Sequence, residues 1–287
     1  MGTYGYAGQI LRVDLSSRRT SAAPTLDYSE RFLGGRGIAA RIYWDEVPPE
    51  AGPFDVANRL IFVTGPLCGV PAIGGSRWEI CGKGPSSPPR FSYGNLGGRW
   101  GAALKFAGYD GIIVQGESDR PVYLFIHDGD AELRDASALW GKGAIETRET
   151  LKGELGSSAR VVAIGPAGEN MAVMATLLAD NDASGSGGLG AVMGSKKLKA
   201  VVVKEGKAGV EIAQPDKLRE LTEHYRSLRR CFPTDGWEYL SRWSRDPTME
   251  PRLMPGPEMK KDPCYGCLGR CARKVYVSSS GRKGKFI

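Results

Sequence analysis

An α+β fold is what the sequence predicts for its first 208 residues, and three observations predict it. Short apolar, β-branched runs recur between glycine-rich turns, with few helical stretches among them. A glycine-anchored pattern then repeats, which points to internal duplication within one domain. After about residue 208 the strand pattern stops and helical spacing takes over, so residues 209–287 read as the beginning of a mostly helical domain.

The elements follow in order. Gln9–Leu15 alternates as a strand with one exposed face. Arg59–Thr64, Gly111–Gln115, Val122–Ile126, Ala159–Ile164 and Ala200–Lys204 have the length and composition of buried strands. A helix is expected near residues 143–154, with shorter helical pieces after the glycine clusters. In the repeat, Gly97-Gly98-Arg99-Trp100-Gly101-Ala102-Ala103-Leu104-Lys105 leads to the strand at 111–115. Gly187-Gly188-Leu189-Gly190-Ala191-Val192-Met193-Gly194-Ser195-Lys196 leads in the same way to the strand at 200–204. A looser third copy starts at Gly34-Gly35-Arg36-Gly37.

Pro215-Asp216 reads as a helix start, and Leu218, Leu221, Tyr225 and Leu228 follow at helical spacing through about Cys231. Pro233, Pro247, Pro251, Pro255, Pro257 and Pro263 make residues 232–263 a largely irregular connection. The stretch beyond the cysteines does not read as a finished domain, so the chain is expected to be the N-terminal portion of something longer.

Composition narrows the class. Hydrophobic residues make up 41% and charged residues 25%, as in an ordinary globular protein. The 40 glycines are about 14% of the chain, roughly twice average usage, and no collagen period or low-complexity tract accounts for them. No apolar run approaches the roughly 18–20 residues needed to span a bilayer, and the first residues lack the basic start and apolar core of a signal peptide. A cytoplasmic home and no membrane association are the expectation. Of the net charge of +7, residues from Gly209 onward carry +6. Without basic–aromatic interleaving or a nucleic-acid reader motif, that excess reads as a solvated or interface surface, and no nucleic-acid partner is expected.

Chemistry concentrates in the cysteines and glycines. Cys264, Cys267 and Cys271 have the spacing C-x2-C-x3-C, and Gly266 and Gly269 let the intervening loop turn tightly. Thiolates so close can wrap one metal centre: an iron–sulfur cluster fits best, zinc and plain cysteines being the alternatives. A cubane needs a fourth ligand from elsewhere. Cys68 and Cys81 are candidates, whereas Cys231 on an apolar helix face reads as core. The glycine clusters suit either backbone-to-backbone packing or an anionic ligand cradled by free N–H groups. No Walker pattern or dinucleotide fingerprint is present. His127 and His224, the only histidines, have no companions that would make a triad or a zinc site and read as surface residues. Any chemistry is therefore carried by a cofactor.

Several ordered stretches resemble the aldehyde:ferredoxin oxidoreductase family of tungsten (rarely molybdenum) bis-pterin enzymes. They are Phe32-Leu33-Gly34-Gly35-Arg36-Gly37, Thr64-Gly65-Pro66-Leu67-Cys68-Gly69, Gly94-Asn95-Leu96-Gly97-Gly98, the run from Lys105 to Ile113, Ile164-Gly165-Pro166-Ala167-Gly168-Glu169-Asn170, and the glycine cluster at 187–196. Asp135-Ala136-Ser137 with Leu139-Trp140-Gly141-Lys142 also fits. The resemblance implies an N-terminal saddle of two sheets related by a pseudo-two-fold. It implies that Arg77 and Asn95 contact pterin, that the Asn95 and Ala183 carbonyls face a magnesium ion bridging the pterin phosphates, and that Gly97, Gly98, Gly185, Gly187 and Gly188 border the cofactor. It assigns Cys264, Cys267 and Cys271 to a [4Fe–4S] cluster that passes electrons to ferredoxin.

The sequence departs from the family pattern at Asp182 and Ser186, where arginines are expected. The function implied is oxidation of an aldehyde to a carboxylic acid, with no catalytic residue assigned. The alternatives are an aromatic acyl-thioester reductase subunit of the same family, and an inactive, truncated or split pterin-binding module. A homodimer, or a separate C-terminal partner chain that completes the site, is expected in the same terms.

Overall fold

A computed structural model describes residues 4–127, 129–180, 183–206, 209–228, 259–261, 264–267, 272–277 and 283–286. They fall into two compact units: Met1–Val70 with Ser76–Ala213, and Pro71–Gly75 with Gln214–Ile287.

The first unit is built twice over. Its first half runs β1 (Gln9–Asp14), β2 (Arg19–Pro24), α1 (Leu26–Phe32), α2 (Arg36–Glu46), β3 (Leu60–Thr64), β4 (Trp78–Gly84), β5 (Arg90–Leu96), α3 (Trp100–Phe106) and β6 (Gly111–Gln115). Its second half runs β7 (Val122–His127), β8 (Asp130–Asp135), α4 (Ala144–Leu155), β9 (Ala159–Ala163), α5 (Pro166–Glu169), β10 (Leu177–Leu178), β11 (Ser184–Gly185), α6 (Leu189–Ser195) and β12 (Leu198–Lys204). One six-stranded sheet has the order β2-β1-β6-β3-β4-β5, and the other, β8-β7-β12-β9-β10-β11. Every strand of the second sheet is six on from its counterpart. The pairing senses repeat too: β1 with β6 and β7 with β12 are parallel, and all other neighbours are antiparallel. The α+β class and the two duplicated sheets are as expected.

The structure corrects the details of the repeat. Trp100 opens α3 as Leu189 opens α6, so Gly98 corresponds to Gly187 and Gly101 to Gly190, one residue away from the match that the Gly-Gly pairs suggest. The copy proposed at Gly34 is not a third repeat of that unit. It precedes α2 and β3, and its counterpart is the Gly141–Gly143 turn before α4 and β9. Similar glycine chemistry had merged two different positions of the duplicated unit.

Alternation along the strands sorts the core into layers. Leu60, Phe62, Ile112 and Val114 of the first sheet share one apolar core with Val162, Val201 and Val203 of the second. The helices α3 and α6 contribute Trp100, Leu104, Leu189 and Met193 to it. Trp100 packs 4.4 Å from Trp78 and 5.7 Å from Phe62, ring centre to ring centre, and its indole N–H donates to the Val201 carbonyl (3.3 Å). On the opposite faces, Ile61, Val63 and Ile113 bury against α2, and Val161, Ala163 and Val202 against the side of α4 that carries Leu151.

Described parts of the second unit are α7 (Pro215–Leu228), the turn at Cys264–Cys267, and a three-stranded antiparallel sheet of β13 (Met259–Lys261), β14 (Ala272–Val277) and β15 (Lys283–Phe286). The helix begins at the predicted proline. No helix among the described residues is long and apolar enough to cross a membrane.

Candidate functional site

Two turns of the first half frame a cleft. Leu33–Gly37 links α1 to α2, and Gly65-Pro66 follows β3. With Arg77, Trp78 and Glu79 they line a space of about 410 Å³. The turns meet at Gly34, where a Cβ would stand 2.8 Å from the Gly65 Cα, and the Gly35 N–H donates to the Thr64 carbonyl (2.9 Å). Gly35, at φ +52°, takes a conformation that a side chain would strain. A Cβ on either Gly35 or Gly65 would meet nothing within 4 Å, so the cleft is bordered there by bare backbone and open space.

Charge is arranged around one buried carboxylate. Glu79, on β4, is 7% exposed. Its Oε1 accepts from Asn95 Nδ2 (2.9 Å) on β5 and lies 3.2 Å from Arg36 Nε. Arg36 also stacks over the Tyr93 ring, 4.3 Å from its centre. The other oxygen, Oε2, is buried and accepts no hydrogen bond among the described residues. Burial pushes the Glu79 carboxyl above its ordinary pKa, and Asn95, Arg36 and Arg77 oppose that shift. Arg77 itself is exposed.

Of the residues singled out from the sequence, Arg77 lines the cleft, and Asn95 is tied to it through Glu79. Gly185 and Gly187 lie against the outer strand of the same sheet: a Cβ at Gly94 would stand 2.9 Å from the Gly185 Cα, and one at Gly187 3.2 Å from Ser92 Cβ. A Cβ at Gly188 would strike Pro85. These glycines permit close backbone packing between the two sheets. The Gly97 carbonyl accepts from the Trp78 indole (3.1 Å), and Gly98 turns the chain at φ +83° ahead of α3. The Ala183 carbonyl accepts from the Ala179 N–H (2.8 Å), which uses one of its two lone pairs. Ser186 is exposed, and Asp182 lies outside the described residues.

Cys264 and Cys267 are half-buried in one turn, closed by a Cys267 N–H to Cys264 carbonyl bond of 3.1 Å with Gly266 at φ +62°. The Gly266 carbonyl accepts from the Gly74 N–H (2.9 Å) within the same unit. Cys271 and Cys231 lie outside the described residues. Cys68 and Cys81 are buried core thiols, and burial pushes Cys68 up to about 12 and Cys81 higher still. His127 stacks on Phe125 and meets Glu132 (3.2 Å), and His224 is exposed.

Sequence reasoning passed over Arg36, Tyr93 and Glu79 as individual residues. For Glu79 a signal existed, since it stands between Trp78 and Ile80 in a strand buried along its whole length. A lone acid there needs partners.

Comparison with known proteins bears on this arrangement. The sequence profile described as "Aldehyde ferredoxin oxidoreductase, N-terminal domain" matches residues 10–205. The chain is 37% identical to the tungsten-containing aldehyde ferredoxin oxidoreductase of Pyrococcus abyssi, over 97% of this chain and 50% of that protein. It is 44% identical to the protein of that name from Thermococcus kodakarensis, over 81% of this chain and 39% of the relative. A Pyrococcus furiosus relative at 36% identity is described as an aliphatic sulfonate oxidoreductase, WOR-like subunit, with 77% and 38% covered. Among solved structures, the active site complex BamBC of benzoyl coenzyme A reductase with 1,5 dienoyl-CoA contains a chain that superposes with a TM-score of 0.74. That chain is 40% identical, over 88% of this chain and 37% of its own length. The chain thus spans half or less of the length of these relatives. Profile, identity and superposition agree: this chain belongs to the aldehyde ferredoxin oxidoreductase family, whose N-terminal domain makes up most of it.

Proposed function

We propose that the cleft between the Leu33–Gly37 and Gly65-Pro66 turns is one wall of a tungsten (or molybdenum) bis-pterin site in an oxidoreductase that converts aldehydes to carboxylic acids. The observation that carries this reading is the pair Arg36 and Arg77 beside open glycine backbone, with Asn95 bound to the carboxylate between them. Two guanidinium groups and unobstructed main chain suit phosphate-bearing ends, and a carboxylate and a carboxamide suit the nitrogen-rich edge of a ring. The residues present therefore fit the group.

When bound, such a group supplies the two-electron chemistry at its metal. The chain's own part is to hold and orient it. Arg77 is proposed to contact pterin, the Asn95 and Ala183 carbonyls to hold a magnesium ion that would neutralise phosphate charge, and Gly97, Gly98, Gly185, Gly187 and Gly188 to let backbone approach closely. Cys264, Cys267 and Cys271 are proposed as three ligands of a [4Fe–4S] cluster, which would supply one-electron transfer to ferredoxin. Their close spacing supports this, and hydrogen bonding in the turn would tune the cluster's potential.

The test is metal and pterin analysis of anaerobically prepared full-length protein, with aldehyde-dependent reduction of ferredoxin. Tungsten or molybdenum, pterin and iron together, with iron lost in Cys264→Ser, are expected. Zinc without iron or tungsten would overturn the reading. One observation favours a second reaction on the same scaffold: the 40% identity to a chain of the benzoyl coenzyme A reductase complex. Aromatic acyl-thioester reduction in place of aldehyde oxidation, in the same assay, would select it.

A further inference from the structure

Glu79 has an oxygen that no hydrogen bond among the described residues uses. Oε1 accepts from Asn95 Nδ2 and forms the ion pair with Arg36 Nε, while Oε2 is buried without a hydrogen-bond partner among the described residues. A buried polar atom left unmatched is costly, and such an atom in a native fold calls for an explanation.

The duplication removes the simplest one, that the sheet requires an acid here. In the first sheet Val63 is paired with Glu79, and in the second Ala163 is paired with Leu178. The turns that follow, Thr64-Gly65-Pro66 and Ile164-Gly165-Pro166, fix Val63 and Ala163 as equivalent, so Leu178 occupies the position of Glu79. One copy of the sheet closes with a leucine. The other carries a carboxylate exactly where Arg36, Arg77 and open glycine backbone border a cleft.

We propose that Glu79 is a cofactor-contacting residue whose Oε2 accepts an N–H of the ring edge seated in the Arg36–Arg77 cleft. The ligand class is a heterocycle with adjacent ring N–H and exocyclic amine donors, the amidine-like edge of a pterin. The inference rests on the cofactor reading above and adds to it a specific contact. Arg36 and Asn95 then have a second role: by holding Oε1 they turn Oε2 toward the incoming donor. An N–H arriving there satisfies the Glu79 oxygen that the described residues leave without a partner.

The test uses full-length protein prepared anaerobically, wild type beside Glu79→Gln and Glu79→Leu. The readouts are pterin retained per chain after prolonged dialysis, iron per chain, and the melting temperature. In the glutamine variant, Arg36 and Asn95 still hold the amide oxygen, so an NH₂ group faces the ligand's donor. The leucine variant copies the second sheet. Both should fold and keep their iron while retaining pterin about tenfold or more less well than wild type, as expected for loss of a hydrogen bond to a charged group. Wild-type retention in both variants would overturn the Glu79 contact and leave the cofactor reading standing. Pterin-free wild type would overturn both. Failure of both variants to fold would make Glu79 a structural carboxylate and overturn the contact as well.

Discussion

Lys105 and Asp110 form an ion pair in the interior of the first unit, Nζ 3.1 Å from Oδ1, with side chains 0% and 2% exposed. Asp110 also accepts from the Ala7 N–H (3.0 Å), the Gly8 N–H (2.8 Å) and the Thr25 hydroxyl (2.8 Å), and its carbonyl accepts from the Thr64 N–H and hydroxyl. Lys105 in turn donates to the Gly5 carbonyl. The pair thus ties the N-terminal segment to the end of α3 and to the strand that leads into the Gly65 turn.

Removing one partner leaves the other charge buried. Asp110→Asn keeps the size of the side chain and strands the Lys105 ammonium, at an expected cost of about 3–5 kcal/mol. Chemical denaturation of the full-length protein checks this. A loss below about 1 kcal/mol would mean that the pair is solvated in solution.

A second network predicts a pH dependence. Glu46 meets Arg12 (2.6 Å) and Arg59 (3.0 Å) with its side chain 20% exposed. Burial raises its carboxyl, but hydrogen bonds and charge from Arg12 and Arg59 outweigh that, and the net shift is downward from 4.5. A carboxyl lowered on folding contributes stability above its unfolded pKa and loses it as the pH falls through the folded value. Stability attributable to Glu46 should therefore be constant near neutrality and decline below about pH 4.5, where the unfolded carboxyl takes up its proton first. Glu46→Gln should flatten that part of the profile, with a difference near neutrality of about 1 kcal/mol. Melting temperatures between pH 3 and 7 for the two proteins test it, and parallel curves would refute it.

Glycine has opposite meanings at two helical positions. A Cβ at Gly194, on α6, would collide with the Gly168 backbone carbonyl of α5, so Gly194→Ala should destabilise by about 1–3 kcal/mol. Gly153, on the exposed side of α4, has nothing within 4 Å of such a Cβ, and Gly153→Ala should stabilise by about 0.5–1 kcal/mol. Denaturant midpoints of the pair read both signs at once.

These contrasts mark what the sequence alone could convey. Strands such as Gly111–Gln115 and Val122–His127 were legible because short apolar runs rich in β-branched or aromatic residues, bounded by turn signals, read as buried strands. Strand β4, Trp78-Glu79-Ile80-Cys81-Gly82-Lys83-Gly84, was not, because all seven residues are buried and no alternation remains to be read. Its two glycines are there for neighbours: a Cβ at Gly82 would strike the Arg59 carbonyl (2.5 Å), and one at Gly84 the Gly187 carbonyl (2.6 Å). Arg77 and Asn95 could be named from resemblance. Glu79, which joins Asn95 to the cleft, emerges only when strand register sets it opposite Asn95 on one side and Val63 on the other.

The shared core of the two sheets has a consequence for how such a unit could have begun. Leu60, Phe62 and Val114 on one side and Val162, Val201 and Val203 on the other cover one another across it. A polypeptide carrying six strands alone would leave that inner face in water, and a second copy of itself would offer a matching surface. The fused chain holds those two copies at fixed stoichiometry. Once joined, they were free to diverge, and one carries a leucine where the other has an acid.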